Sequence, residues 1–383
     1  MSEASWTKGM AGVVADATAI SSIDGERGEL RYRGYLIAEL VERASFLEVV
    51  GLVVDGELPG PTDVAALEGA LADRALPAAA QDVLARLPRD THPMTVLAVV
   101  LPLLDDAASK ERPRLGARPA QRAALLALAA RLPTVVAAWT RLRRGLAPLA
   151  PDPALPLHAD FLRMTRGAAP DAREVAVLDA TQALQMEHGF NASTFAVRTV
   201  ASTLAPLSES LAAGVAALHG PLHGGADEAA YRMALEVGGP EAALAWVDAA
   251  LARKHKIMGL GHREYRVVDP RALVLRPMAL DLARALGPAH VRVLETLAAI
   301  DDHAAARFAA QGKRIRANVD FYKGAVFAAL GLEPDCFTAL FAMSRAFGWG
   351  AHALELWDDH ALYRPRAAYR GAPPREVPRP TMV

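Results

Sequence analysis

The sequence predicts an all-helical protein of two domains, and three observations carry that prediction. At 383 residues the chain exceeds what one hydrophobic core usually covers. Its apolar fraction of 52% comes mainly from Ala, Leu and Val rather than aromatics, and Ala and Leu are among the strongest helix formers. From Ile37 onward almost everything reads as helical segments separated by Pro or Gly.

The elements follow in order. Before Ile37, the β-branched pieces Gly12-Val13-Val14 and Thr18-Ala19-Ile20, with an Asp24-Gly25 turn ahead of Leu30-Arg31-Tyr32-Arg33-Gly34, predict a small hairpin or irregular arm. Phe46 to Val54 is helical, Gly56 to Pro61 is a break, and Thr62 is placed to cap the next helix. The Ala-rich stretch from Ala120 to Leu146 continues the pattern until Pro148, Pro151, Pro153 and Pro156 mark a surface connection. A helix from Arg173 carries Val177, Thr181, Leu184 and His188 at 4-3-4 spacing, so His188 is expected to prolong its buried stripe. Another runs from Leu207 through Leu211, Val215 and Leu218 until Gly220-Pro221 stops it, and the proline-rich last dozen residues read as an extended arm.

Composition excludes several functions. Lys plus Arg number 42 against 43 Asp plus Glu, so the net charge of -1 offers no global field for nucleic acid or an anionic membrane. The single Cys336 rules out an intrachain disulfide framework and fits a reducing compartment. Met1 to Met10 lacks the apolar core of a signal peptide. Of the two most apolar runs, Met94 to Leu104 is too short to span a bilayer, and Ala123 to Ala138 is interrupted by Arg131 and Pro133. A soluble cytoplasmic protein is the expectation.

Three punctuated segments carry the chemistry. In Gly220-Pro221-Leu222-His223-Gly224-Gly225-Ala226 a histidine is held in a Gly/Pro turn between two helices. It precedes Asp227-Glu228, acids suited to a helix's first turn, and a helix N-terminus disfavours imidazolium. A neutral, hydrogen-bond-donating imidazole is therefore expected, with simple capping as the plain alternative. His262 lies in Met258-Gly259-Leu260-Gly261-His262-Arg263, after the cations Arg253, Lys254 and Lys256. Asp320 follows Lys313-Arg314-Ile315-Arg316 and sits between Val319 and Phe321, so desolvation is expected to make it more basic than in water. Arg271, Arg345 and Arg364 stand in short punctuated settings, and their guanidinium forks suit a small dicarboxylate. His219, His223 and Asp227, four residues apart, suggest zinc, but Gly220-Pro221 breaks the helix such a site needs.

Jointly these segments resemble the citrate synthase family, nearly end to end. The matches are Leu30 to Tyr35, Gly56-Glu57-Leu58-Pro59, His92-Pro93-Met94, Glu187 to Thr194, Gly220 to Ala226, Lys256 to Arg263, Asp269-Pro270-Arg271, Asn318 to Tyr322 and Tyr363-Arg364-Pro365. The resemblance implies a helical homodimer with a large domain, residues 1–216 plus 325–383, and an inserted small domain, residues 217–324, that closes over substrates. It implies condensation of oxaloacetate with an acyl-CoA, usually acetyl-CoA, and thioester hydrolysis, with acyl-CoA as a substrate and neither metal nor resident cofactor. By motif match, Asp320 is the base at the methyl carbon, His223 a donor to the thioester carbonyl, and His262 the acid at the ketone. His188, Arg271 and Arg345 would hold oxaloacetate, and Arg364 would reach in from the partner subunit. Lys256, Gly259, Gly261, Lys313 and Arg314 would meet coenzyme A. A 2-methylcitrate synthase using propionyl-CoA shares all these residues.

Some positions depart from the family's commonest pattern. Glu187-His188-Gly189 replaces Asp-His-Glu, Gln185 stands ahead of His188 where histidine is common, Ala317 precedes Asn318 in place of proline, and Glu264 replaces an apolar residue. None removes a proposed catalytic group. A non-catalytic dimer that binds a metabolite on this scaffold would be expected to lack Asp320 or His223, and both are present.

Overall fold

A computed structural model describes residues 7–10, 12–105 and 113–377. Near the N-terminus, β1 (Ser21–Asp24) and β2 (Glu29–Tyr32) form the expected hairpin, and β3 (Tyr35–Leu36) adds to β2, all antiparallel. The early helices are α1 (Ile37–Arg43), α2 (Phe46–Asp55), α3 (Pro61–Ala70), α4 (Ala78–Arg86), α5 (Pro93–Val100) and α6 (Arg118–Arg143). Next come α7 (Leu157–Arg166), α8 (Ala172–Gln185), α9 (Ala192–Ala201) and α10 (Leu207–His219). The chain continues through α11 (Ala226–Val237), α12 (Pro240–Ala252), α13 (Pro270–Leu286), α14 (Pro288–Ala309), α15 (Val319–Ala329) and α16 (Phe337–Asp358). Residues 360–377 have no regular structure and are largely exposed, as expected of an arm; Pro378 and Pro380 lie outside the described residues.

The core centres on α16, which is almost wholly buried and packs on α2, α5, α6, α8, α9 and α10. Trp139, Phe161, Phe337, Phe347 and Trp349 fill it. The later helices pack on one another, α12 on α14, and α11 and α13 on α15. Two further contacts, α13 with α8 and α15 with α8, bring this group against the core that carries His188 and Arg345.

Three local expectations need correction. The cap of α3 is Gly60, because Pro61 takes the first helical position, where its missing N–H costs nothing; Thr62 is already inside. The apolar run expected to be too interrupted by Arg131 and Pro133 to span a bilayer lies in α6, a single helix of 26 residues. That length would suffice to cross a membrane, but the apolar window is mostly buried against neighbouring helices, and the Arg131 guanidinium donates to the Leu104 carbonyl at 2.8 Å. Arg345 is not in a punctuated segment but in the middle of α16, 1% exposed.

Candidate active site

The His223 turn is fixed by backbone geometry. After α10 ends, the N–H groups of His223 and Gly224 donate to the Gly220 carbonyl at 2.9 and 3.1 Å. Gly224 has no room for a side chain, since a Cβ would overlap the Leu218 carbonyl and lie 2.8 Å from Thr338. Gly225, with φ +82°, opens α11. His223 thus stands ahead of the helix rather than capping it. Its Nε2 faces Ser193 of α9, accepting from the backbone N–H at 3.3 Å and lying 2.8 Å from the hydroxyl. With Nε2 used as an acceptor, the ring proton resides on Nδ1, the donor that the sequence asks for. Burial, aided by the Arg345 charge, pushes the imidazole down to about 4, so it is neutral as expected, though burial rather than the helix end is the main cause.

His262 is set the same way. Its Nδ1 accepts from the Glu264 N–H at 3.1 Å, and its Nε2 lies 3.4 Å from a guanidinium nitrogen of Arg271, which can only donate. A neutral ring accepts at one nitrogen, so a proton on Nε2 requires the longer Arg271 contact to give way to the shorter Glu264 bond. Burial and then Arg271 hold it down at about 4. The loop carrying it is stitched to the start of α15. Leu260 bridges Ala317, Gly261 N–H donates to Arg316 O at 2.8 Å, Asn318 N–H to Gly259 O at 2.9 Å, and the Asn318 side chain to Gly261 O at 3.0 Å. Gly259 is required here because a Cβ would press into Phe321 at 2.8 Å. The loop that carries His262 and the helix that carries Asp320 are therefore one unit.

Asp320 occupies the first turn of α15, whose cap Asn318 accepts from the Asp320 N–H at 3.0 Å. The expected rise in basicity is overturned. Burial does push the carboxyl up, but Lys323, 2.7 Å away and wholly buried, outweighs it with help from Arg271 and His262, so the carboxyl lies below its usual range. Asp320 is an ionised carboxylate.

The third cluster suits a small dicarboxylate. His188 is buried as expected but lies beyond the end of α8, so a loop and not a helical stripe delivers it. Its Nε2 is 3.0 Å from the Tyr265 hydroxyl, its ring centroid is 5.1 Å from that of His262, and burial beside Arg271 holds it neutral. Arg271, in the first turn of α13, is buried and forked onto the cap Asp269 at 2.8 and 3.0 Å. Arg345 donates through Nε to the Gln185 carbonyl at 2.8 Å. Two buried guanidinium groups, one of them paired with Asp269, thus stand beside two neutral imidazoles.

Other predicted residues lie elsewhere. Arg364 is exposed on the C-terminal arm and does not join the site within one chain. Lys256, Lys313 and Arg314 are exposed on the two segments that the Leu260–Ala317 bridge joins. The zinc triplet separates, with His219 stacked on His92 at 4.5 Å, His223 on Ser193 and Asp227 on Lys323 at 3.3 Å. The departures have local partners. Ala317 donates its N–H to Asp301 at 2.9 Å, which proline could not. Glu187 binds His352 at 3.0 Å and Gly189 N–H at 2.6 Å, while Gln185 contacts Gln182 at 3.1 Å.

Sequence reading missed Ser193, Tyr265, Asp227 as an anion at the site, and Lys323. Lys323 had a signal, since i,i+3 places it beside Asp320 on a helix. Ser193 had none beyond lying within a matched segment, and Tyr265 lies two residues past the end of one.

Comparison with known proteins agrees with this geometry. The family model described as "Citrate synthase, C-terminal domain" matches residues 9–366. A citrate synthase from Acidithiobacillus ferridurans is 37% identical, covering 97% of each chain. A 2-methylcitrate synthase from Mycobacterium tuberculosis is 38% identical, covering 97% of this chain and 92% of the relative. Among solved structures, citrate synthase from Pyrobaculum aerophilum superposes with a TM-score of 0.89 at 36% identity, over 97% of this chain and 94% of that one. The Thermoplasma acidophilum enzyme, solved as a ternary complex with carboxymethyl coenzyme A and oxaloacetate, gives a TM-score of 0.89 at 28% identity, over 97% and 98% of the two chains. In sequence and in its all-helical two-domain fold, the chain belongs to the citrate synthase family.

Proposed function

We propose that the protein condenses oxaloacetate with acetyl-CoA and hydrolyses the resulting thioester, giving citrate and coenzyme A. The observation that carries this reading is one buried site in which an ionised carboxylate, Asp320, stands with two neutral imidazoles, His223 and His262. A methyl group beside a thioester is a weak carbon acid, so its proton leaves readily only if the carbonyl oxygen is stabilised as charge develops. Asp320 takes the methyl proton while His223 Nδ1–H donates to the thioester oxygen, and the C–H electron pair forms the enol. The enol carbon attacks the ketone of oxaloacetate, whose oxygen receives the proton of His262 Nε2. Water then cleaves the citryl thioester. The steps are proton transfers, one aldol-type addition that forms the carbon–carbon bond, and hydrolysis of a thioester, and acyl-CoA enters as a substrate rather than a resident cofactor.

Arg271, Arg345 and His188 would orient oxaloacetate through its carboxylates, consistent with the burial of all three and with both arginine charges acting on His188. The exposed cations Lys256, Lys313 and Arg314, with the Gly259–Gly261 loop, would face the phosphates of coenzyme A. The residues 217–324 would form the closing domain, since α11 to α15 pack chiefly on one another. A homodimer would supply Arg364 from the partner's arm. A cytoplasmic setting fits the lone Cys336, whose thiol burial pushes up to about 12 and so keeps unreactive.

The similarity to a 2-methylcitrate synthase favours one second reading, in which propionyl-CoA is the preferred thioester. One methylene is worth about 1–3 kcal/mol in an apolar pocket, so preference can be modest. Coenzyme A release with oxaloacetate, measured as kcat/KM for both thioesters, decides. A higher value for acetyl-CoA is expected; a higher value for propionyl-CoA would reverse the assignment, and no release with either would remove both.

A further inference from the structure

Lys323 is an unusual neighbour for a catalytic base. It is 0% exposed, its Nζ lies 2.7 Å from Asp320 Oδ1 and 3.3 Å from Asp227 Oδ2, and it sits 4.0 Å from the centroid of the Phe341 ring. A buried ammonium needs compensating charge, and here two carboxylates from different helices provide it. Asp227 belongs to α11, and its Oδ2 is buried without a hydrogen bond, so the ammonium is the group facing it. The two helices meet closely because Gly324 has no Cβ to strike the Asp227 backbone, whose carbonyl carbon would lie 2.9 Å from it.

The charged and titratable groups around Asp320 are Lys323 on its own helix, Asp227 on α11, Arg271 on α13, Arg345 on α16, and the neutral imidazoles of His262 and His223. Only Lys323 is hydrogen-bonded to the carboxylate among them. We propose that Lys323 and Asp227 form a buried charge clamp that positions Asp320, holding Oδ1 and leaving Oδ2 as the oxygen that takes the substrate proton. The clamp also answers a difficulty it creates. An ammonium on a carboxylate weakens it as a base, because the charge it favours is lost on protonation. With Asp227 within reach, the ammonium can shift toward that second carboxylate as the C–H bond breaks and the Asp320 O–H bond forms. Burial and the Asp320 charge push Asp227 up while Lys323 opposes them, which ties the two carboxylates to one shared cation.

This inference rests on the condensation reading, so the wild-type enzyme is assayed first for oxaloacetate-dependent coenzyme A release. If the wild type is inactive the reading fails, whatever the clamp does. The test compares Lys323→Met, Lys323→Gln, Asp227→Asn and the double variant Lys323→Gln/Asp227→Asn in the full chain, by pH profiles of kcat/KM for acetyl-CoA, oxaloacetate affinity and Tm. Loss of Lys323 should lower kcat and move the acid limb to higher pH by about one unit or more, the size an opposite charge within contact gives a carboxylate. Oxaloacetate affinity should hold. Asp227→Asn should lower kcat without raising the acid limb, because it removes the ammonium's alternative partner. The double variant should lose less than the product of the single losses. If both Lys323 variants keep the wild-type pH profile while kcat falls only with Tm, Lys323 is structural and the clamp is wrong. Additive losses in the double variant would also overturn it.

Discussion

Ser193 Oγ lies 2.8 Å from His223 Nε2, joining α9 to the turn before α11, and the same hydroxyl accepts from Trp349 Nε1 of α16 at 3.2 Å. The imidazole's tautomer is therefore set by two helices of the core rather than by its own turn. Ser193→Ala removes the hydroxyl and leaves the backbone donor. A typical hydrogen bond contributes about 0.5–1.5 kcal/mol, so kcat should fall about threefold to tenfold with oxaloacetate affinity unchanged. His223→Ala removes the donor itself and should cost ~10²–10³ in kcat. Steady-state kinetics with calorimetric binding separate the two outcomes; an equal loss in both variants would contradict the supporting role of Ser193.

Stability should fall on acidification in a defined window. His223 and His262 are held near 4 in the folded protein against an ordinary value of 6.5, so between these values the unfolded chain binds more protons than the folded one. Their neutral forms are fully compatible with folding above pH 6.5, and stability is lost as pH drops from there toward 4. Chemical denaturation across that range should show the decline, and replacing either histidine by Gln should flatten it. For the same reason kcat/KM should show no acid limb near 6.5.

Gly224 should tolerate no side chain. A Cβ there meets the Leu218 carbonyl and Thr338, and overpacking of this kind costs about 1–3 kcal/mol. Gly224→Ala is expected to lower Tm and to lower kcat by more than the stability loss explains, because the turn that carries His223 must move. Full activity in a folded Gly224→Ala protein would show that the turn is not rigid.

Arg364 should act across subunits. Mixing Arg364→Ala with His223→Ala chains and reassociating them creates mixed dimers in which one site is complete. Random assortment with two-fold symmetry predicts about a quarter of wild-type activity from two inactive parents. No recovery in verified mixed dimers would place Arg364 outside the partner's site.

The sequence made the helices legible because Ala, Leu and Pro/Gly punctuation act locally, and it exposed His223, His262 and Asp320 because each sits in a Gly- or cap-bearing segment. It did not show how charges would balance once those segments met. Asp320 looked more basic than water makes it because only its chain neighbours Val319 and Phe321 were weighed; the ammonium that reverses the shift lies one helical turn on, and its second partner Asp227 is 96 positions earlier in the chain. His188 was read as part of α8 from its spacing, whereas the helix ends at Gln185 and the histidine is buried by tertiary contact with Tyr265. Gly259 looked like a place for ligand approach, and the structure adds a second demand, the close passage of Phe321.

The central claim is that Asp320 is the base of an oxaloacetate-dependent condensation. Its most direct test is coenzyme A release from acetyl-CoA by wild type and Asp320→Asn, with and without oxaloacetate. Release should require oxaloacetate and fall by about 10²–10⁴ in the variant, the span of a positioned proton transfer, while the variant still binds oxaloacetate. Release that persists in Asp320→Asn at the wild-type rate, or that ignores oxaloacetate, would contradict the account.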